Sequence, residues 1–415
     1  MYATEGLRTV LGSRRKVKAG RVSRNVVLLG VTSMLTDISA EMVAAVLPIY
    51  LFYALGLSPL QFGAVDGAYQ GAAALVRVVG GLVSDRLRRH KEVAATGYGI
   101  SALCKPALLL AGNAWGVIVG VILLDRAGKG IRTAPRDALI SLSTEPADLG
   151  SAFGVHRALD TLGAMLGPLL AFGLLFLTPG AFDVIFVLSF CIALLGLGVL
   201  LFFVQNPAAD NSAVPSEHVS VRSAAALLAA PRFRWLVVTS AALGLTTISD
   251  AFVYLSLQRR LDFSVGFVPL LYVGTALAFM LLAVPLGRLS DRIGRLPVFL
   301  GGYALLALVY VSLLLPGGGQ LGLVAYLVAF GAYYAATDGV LMAMGASLVP
   351  SHLRATGLAL LGTATGLSRL LASVVFGALW TLVGIEVAVM AFGVGLLLAM
   401  LVGGLALTRP RMAAS

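Results

Sequence analysis

Runs of about 20 apolar residues, each enough to carry an α-helix across a bilayer, recur about twelve times along the chain. They fall near 25–54, 61–84, 93–112, 115–139, 150–177, 182–204, 233–257, 267–289, 296–315, 320–348, 353–380 and 384–407. This pattern constrains the fold more than any other feature. In hydrocarbon every backbone N–H and C=O must be satisfied inside the protein, and a helix does so within itself. Composition agrees: 59% of residues are hydrophobic and 12% charged, against about 45–50% and about 25% in soluble domains. The 48 glycines suit helices that approach one another closely. Cys104 and Cys191 both lie in apolar runs, so there is no disulfide or metal framework to organise a fold.

The reading is an all-α membrane protein of twelve transmembrane helices in two six-helix, pseudo-symmetric halves. Residues 1–24 form a basic tail, 25–204 the first half, 205–232 a polar linker, 233–407 the second half and 408–415 a short tail. The first apolar run has no small-residue cleavage site after it and reads as an uncleaved span. Lys and Arg crowd the N-terminal tail, the loops after spans 2 and 8 and the linker, while only Arg259 and Arg260 fall in loops on the opposite side. The positive-inside rule then places both termini in the cytoplasm, in a cell inner or plasma membrane. The net charge of +11 therefore reads as topology rather than nucleic-acid binding. An internal repeat supports two halves: GLVSDR at 81–86 is echoed by GRLSDR at 287–292, and LTDIS at 35–39 by LTTIS at 245–249. Parallel repeats of this kind place a site at their interface, near the bilayer midplane.

The loop GRLSDRIGR contains Gly287, Asp291, Arg292, Gly294 and Arg295, and its first-half counterpart contains Gly81, Asp85 and Arg86. With these loops the chain resembles the major facilitator superfamily of transporters, whose loops between spans 2–3 and 8–9 read G-x-L-x-D-R-x-G-R. The second copy matches throughout; in the first, Arg88 stands where the family usually has glycine. The resemblance spans essentially the whole chain and implies the family's fold, with these loops acting as a conformational latch between the halves.

Span 4 continues into LLDRAGKGIRTAPRDALI, residues 123–140. On a helix advancing 100° per residue, Asp125, Arg126, Lys129, Arg132, Thr133, Arg136 and Asp137 share an arc of about 140°. Ala127, Gly128, Ile131, Ala134, Pro135 and Ala138 fill the opposite side. Such segregation is expected of a helix whose charged face lines a watery cavity or meets other helices instead of lipid. Arg126, Lys129 and Gly130 partly match a second family motif, which implies that Arg126 assists proton coupling.

Span 1 supplies Asp37 and Glu41, four apart and so on one helical face. A carboxylate balanced between burial and a nearby cation can gain and lose a proton, which is the chemistry of proton-coupled transport. The alternative is a permanent ion pair with Arg126 or Lys105. Asp250 and Asp338 are corresponding candidates in the second half. In span 5, Arg157 and Asp160 stand at ion-pair spacing, followed by Gly163, Gly167 and Pro168. This G-x-x-x-G-P resembles a span 5 motif of the family's exporters, without its trailing glycine pair; close packing and a bend would explain the same residues. Asp66, Arg77, Lys105 and Arg369 are further charges within spans.

No phosphate-binding loop, His/Cys cluster or nucleophile motif stands out. The expected function is secondary active transport of a small organic solute by alternating access, proton-coupled and outward, by a monomer without cofactors. Uptake by symport or uniport is the alternative within transport, and a membrane-embedded lipid-handling protein or enzyme the alternative outside it. Two symmetric gate loops, rather than one catalytic cluster, favour the transporter.

Overall fold

The computed structural model describes residues 23–71, 89–112, 114–145, 149–206, 227–315, 319–349 and 354–408. Among them there is no strand. The helices are α1 (Arg24–Ile49, continued by a π turn Tyr50–Ala54), α2 (59–71), α3 (His90–Leu110), α4 (Trp115–Leu142), α5 (Leu149–Leu177) and α6 (Phe182–Phe203). The second set is α7a (Pro231–Leu245), α7b (Asp250–Leu261), α8 (Val268–Ile293), α9 (Arg295–Leu314), α10 (Gly319–Leu348), α11 (Arg354–Val383) and α12 (Ile385–Thr408). Ser23 caps α1 by accepting from the Val26 N–H, one of the orphan donors of a first turn.

Among the described residues, ten helical stretches are long and apolar enough to cross a membrane. Helix α4 has the length, 28 residues, but its charges exclude it by composition. The described part of α2 is short. These two complete the twelve-span order read from the sequence. Large apolar side chains such as Phe176, Leu177, Phe202 and Leu321 point outward, as they do where lipid is the solvent.

Helix pairing repeats between the two halves. Helix α1 packs on α5 and α6, and α3 on α4 and α6; correspondingly α7a packs on α11 and α12, and α9 on α10 and α12. The halves meet at the end remote from the termini. There α2 lies so close to α11 that a Cβ on Gly63 would fall 2.5 Å from the Ser373 carbonyl oxygen, and one on Gly377 would strike that of Pro59. Phe252 of α7b stacks edge-on against Phe62 of α2 and Phe376 of α11, both at 4.8 Å between centroids. The Tyr53 hydroxyl donates to Gln258 nearby. That end of the seam is closed.

Span 7 departs from the continuous helix expected over 233–257. It is interrupted at Thr246–Ser249, and Tyr310 of α9 takes up the freed backbone. Its hydroxyl donates to the Thr246 carbonyl at 3.0 Å and accepts from the Ile248 N–H at 2.7 Å. Ser249 then caps α7b. A break in a spanning helix survives in hydrocarbon only when other protein groups satisfy it, or when it faces a water-filled cavity.

Candidate functional site

The charged face of α4 is turned inward, as its periodicity suggests, but its partners differ from those expected. Asp125 is buried and takes a 2.7 Å hydrogen bond from Lys105 of α3 and others at 2.6 Å and 3.2 Å from the adjacent Arg126. The Arg126 guanidinium also lies 4.0 Å from the centre of the Tyr69 ring. Lys105 and Arg126 are therefore committed to Asp125, and neither forms the ion pair with Asp37 or Glu41 considered above.

The span 1 carboxylates have looser company. Arg132 approaches Asp37 only to 3.9 Å and rests 4.7 Å from the Tyr98 ring. Its Nη1 is buried without a hydrogen-bond partner. Asp37 also lies close to the carboxyl of Asp160 on α5, and two carboxylates so placed repel unless one takes up a proton. Asp160 in turn lies 3.9 Å from Arg136 and 3.7 Å from Arg157. Among the described residues, neither Glu41 nor Lys129 has a direct side-chain hydrogen bond or ion pair. Each lies in the field of the other, and Asp37 acts on both.

The span 5 glycines explain how α5, which carries Asp160, comes close to α1, which carries Asp37. A Cβ at Gly163 would strike the Met34 backbone, and one at Gly167 would lie 2.8 Å from both the Ile38 carbonyl and the Glu41 Cβ. Two small residues four apart give α5 a flat face against α1. Pro168 follows within the same helix, and Asp160 lies one turn before Gly163 on the surface that meets α1. The expected Arg157–Asp160 pair is present but loose, with Arg157 mostly exposed.

The second half carries its own polar group at the break in span 7. A cavity of about 190 Å³ is lined by Gln70, Thr247, Ser249, Asp250, Tyr334 and Arg369. Asp250 sits in the first turn of α7b and accepts from the Tyr334 hydroxyl. Arg369 of α11 approaches Asp338 of α10 to 3.9 Å. Sequence patterning flagged the charges here but not Gln70 or Tyr334, which lie in ordinary amphipathic surroundings and carry no motif.

In the second signature loop Gly287 lies within α8, while Gly294 makes the tight turn into α9 with φ +102°, a conformation that favours glycine. Arg295 donates to the Ala343 carbonyl of α10 at 2.8 Å. Asp291 and Arg292 are exposed. Gly81, Asp85, Arg86 and Arg88 of the first loop, and Arg77, lie outside the described residues. No group of three or more metal-ligating side chains occurs among the described residues.

A family model described as Major Facilitator Superfamily matches residues 29–279 and again 247–415. The chain belongs to the major facilitator superfamily. An uncharacterised MFS-type transporter of Methanocaldococcus jannaschii is 33% identical to this transporter over 370 residues, covering 86% of the present chain and 89% of the relative. A Mycobacterium tuberculosis protein of strain H37Rv, also uncharacterised, is 35% identical over 159 residues, 38% of each chain. The crystal structure of the nucleoside transporter NupG superposes with a TM-score of 0.78 at 18% identity, over 94% of this chain and 100% of that one. A bacterial homologue of the human lysosomal transporter Spinster, inward-facing and occupied, gives 0.71 at 16% identity, over 92% and 96%. At such identities the likeness is one of fold, and it confirms the all-helical MFS architecture of this multi-pass membrane protein.

Proposed function

We propose that this MFS protein moves a small organic solute outward across the cell's inner membrane in exchange for protons, as a monomer with both termini cytoplasmic. The observation that carries the proton coupling is the closeness of two carboxyls, Asp37 and Asp160, with Arg132 3.9 Å from the first and Arg136 and Arg157 3.9 Å and 3.7 Å from the second. A proton on either carboxyl relieves the repulsion between them. Its loss leaves two like charges near one another, which repel, and Arg132 offers an unused N–H for Asp37 to turn to. Glu41 and Lys129 stand beside this group, neither in a direct ion pair, so they are available to pass the proton toward the cavity.

The closed seam at the far end and the cavity at the span 7 break fit one state of alternating access, in which the halves at 25–204 and 233–407 rock about the site. The signature loops, carrying Gly81, Asp85 and Arg86 in the first half and Gly287, Asp291, Arg292, Gly294 and Arg295 in the second, serve as the latch between the halves. Export is favoured by the G-x-x-x-G-P pattern of α5, whose glycines seat that helix on α1.

The test is transport in proteoliposomes under an imposed pH gradient. Asp37→Asn and Asp160→Asn each remove a proton-binding carboxyl while keeping shape. Each should abolish gradient-driven accumulation and leave solute exchange at equal pH measurable. If both variants still concentrate solute against its gradient, coupling does not run through this pair.

A further inference from the structure

The cavity at the span 7 break differs from the α4 cluster in one telling way. At Asp125 the opposite charges are in contact, at 2.7 Å and 2.6 Å. In the second-half cavity a carboxylate, Asp250, and a guanidinium, Arg369, line the same space, yet no ion pair within 4 Å joins them. Arg369 comes no nearer to a carboxylate than 3.9 Å from Asp338, too far for a hydrogen bond. Asp338 is itself more than half exposed. Asp250 is steadied from one side by Tyr334 and keeps acceptor capacity for another donor. Charges placed for mutual neutralisation would touch; these two are held apart across a gap.

The walls of the gap narrow the chemistry further. Gln70 supplies an amide, and Thr247 and Ser249 supply hydroxyls. Asp66, the other carboxylate close by, is occupied by a 2.6 Å hydrogen bond from Ser373. The opened backbone at Thr246–Ser249 and the start of α7b border the same space, and the first N–H groups of a helix lack intrahelical partners. The volume of about 190 Å³ leaves room for a small polar solute.

We infer that the substrate is a small zwitterion of the α-amino-acid type, its ammonium group on Asp250 and its carboxylate on Arg369. The assignment rests on the transport reading above and names the solute class for the same protein. A simple carboxylic acid would satisfy Arg369 and set a second negative charge against Asp250. A simple amine would do the reverse at Arg369. A neutral polyol would leave both charges desolvated without a counter-charge, which is costly in a site walled by protein. A zwitterion answers both at once, and the planar fork of Arg369 matches a carboxylate.

The deciding experiment is equilibrium binding to the purified full-length protein in detergent at one pH, followed by thermal stabilisation and by retention of radiolabelled probe. The probes are glycine, L-alanine, L-serine and L-threonine. The controls are propionate, propylamine and erythritol, which lack one or both charges. At least one amino acid should bind about tenfold or more tighter than every control, and Asp250→Asn and Arg369→Gln should each lose about tenfold or more of that affinity. Controls binding as well as the amino acids, amino-acid binding unchanged in both variants, or no binding of any of the four would overturn the assignment. Monodisperse elution of each variant separates lost binding from lost folding, and the wild-type comparison needs no variant at all. The assay uses neither a gradient nor turnover, so it can fail while proton-driven transport of another solute succeeds, and succeed while proton coupling fails.

Discussion

Ser373 of α11 donates a 2.6 Å hydrogen bond to Asp66 of α2, across the seam between the two halves. Both residues are buried, and the contact exists only while the far end of the seam is closed. It is a measurable handle on the conformational equilibrium. Ser373→Ala and Asp66→Asn should each weaken the closed form. A hydrogen bond to a charged group contributes about 1.5–3 kcal/mol. In a double-mutant cycle on thermal stability the double variant should cost little more than the worse single one. Fully additive losses would mean that the two side chains do not interact.

Lys105 is the partner of Asp125 from outside its own helix. Lys105→Met leaves a buried carboxylate with Arg126 alone. Breaking a buried pair costs about 3–5 kcal/mol when the remaining charge is uncompensated, and Arg126 moderates this here. The single variant should unfold at a clearly lower temperature, and Lys105→Met with Asp125→Asn should recover part of the loss. A double variant as unstable as the sum of its singles would refute the pairing.

Arg126 offers two N–H groups to one oxygen of Asp125 and its plane to Tyr69. Lysine can reproduce the charge but neither the fork nor the stacking surface. Arg126→Lys should therefore fold, as judged by monodisperse elution, and lose most transport. Near-normal transport rates would show that charge alone suffices at this position.

Tyr310→Phe removes the hydroxyl that satisfies both Thr246 and Ile248. Each buried backbone group left unpaired costs about 1–3 kcal/mol. The variant should lose thermal stability and bind substrate more weakly, because Asp250 begins the helix that the break positions. Unchanged stability would mean that water satisfies the break in place of Tyr310.

Cysteines introduced at Arg292 and at Thr178, in a background lacking Cys104 and Cys191, test orientation. Arg292 closes α8 at the latch end, and Thr178 follows α5 at the far end. An impermeant thiol reagent applied to intact cells should label Thr178→Cys and spare Arg292→Cys. Labelling of both from outside would overturn the topology.

The sequence displays the spans because a bilayer demands an apolar run of fixed length, and it displays the inward face of α4 because charge is tolerated on one side only. Which charge meets which is another matter. Asp125 captures Lys105 and Arg126 because of how α3 and α4 happen to register, and periodicity within one helix carries no information about its neighbour. The break in span 7 is likewise hidden. LTTIS contains neither glycine nor proline and its hydropathy runs on, so the interruption depends on Tyr310, 62 residues beyond Ile248. The G-x-x-x-G-P pattern was visible in span 5, but that it would bring Asp160 near Asp37 follows only from the seat of α5 on α1.

The two-cation clasp on Asp125 also bears on how the chain enters the membrane during synthesis. Asp125, Arg126, Lys129 and Arg132 fall within about two turns of α4. A charged side chain at the centre of a helix leaving the translocon costs about 2.5–3.5 kcal/mol, so α4 presented alone would be rejected to the aqueous side. Helix α3 emerges first, with Lys105 waiting, and is joined to α4 by a tight connection in which Gly112 takes φ +52°. The unit that the insertion machinery accepts is thus the α3–α4 hairpin with Asp125 already paired, and a polar substitution at Lys105 would be felt first as a biogenesis defect, in the yield of inserted chains.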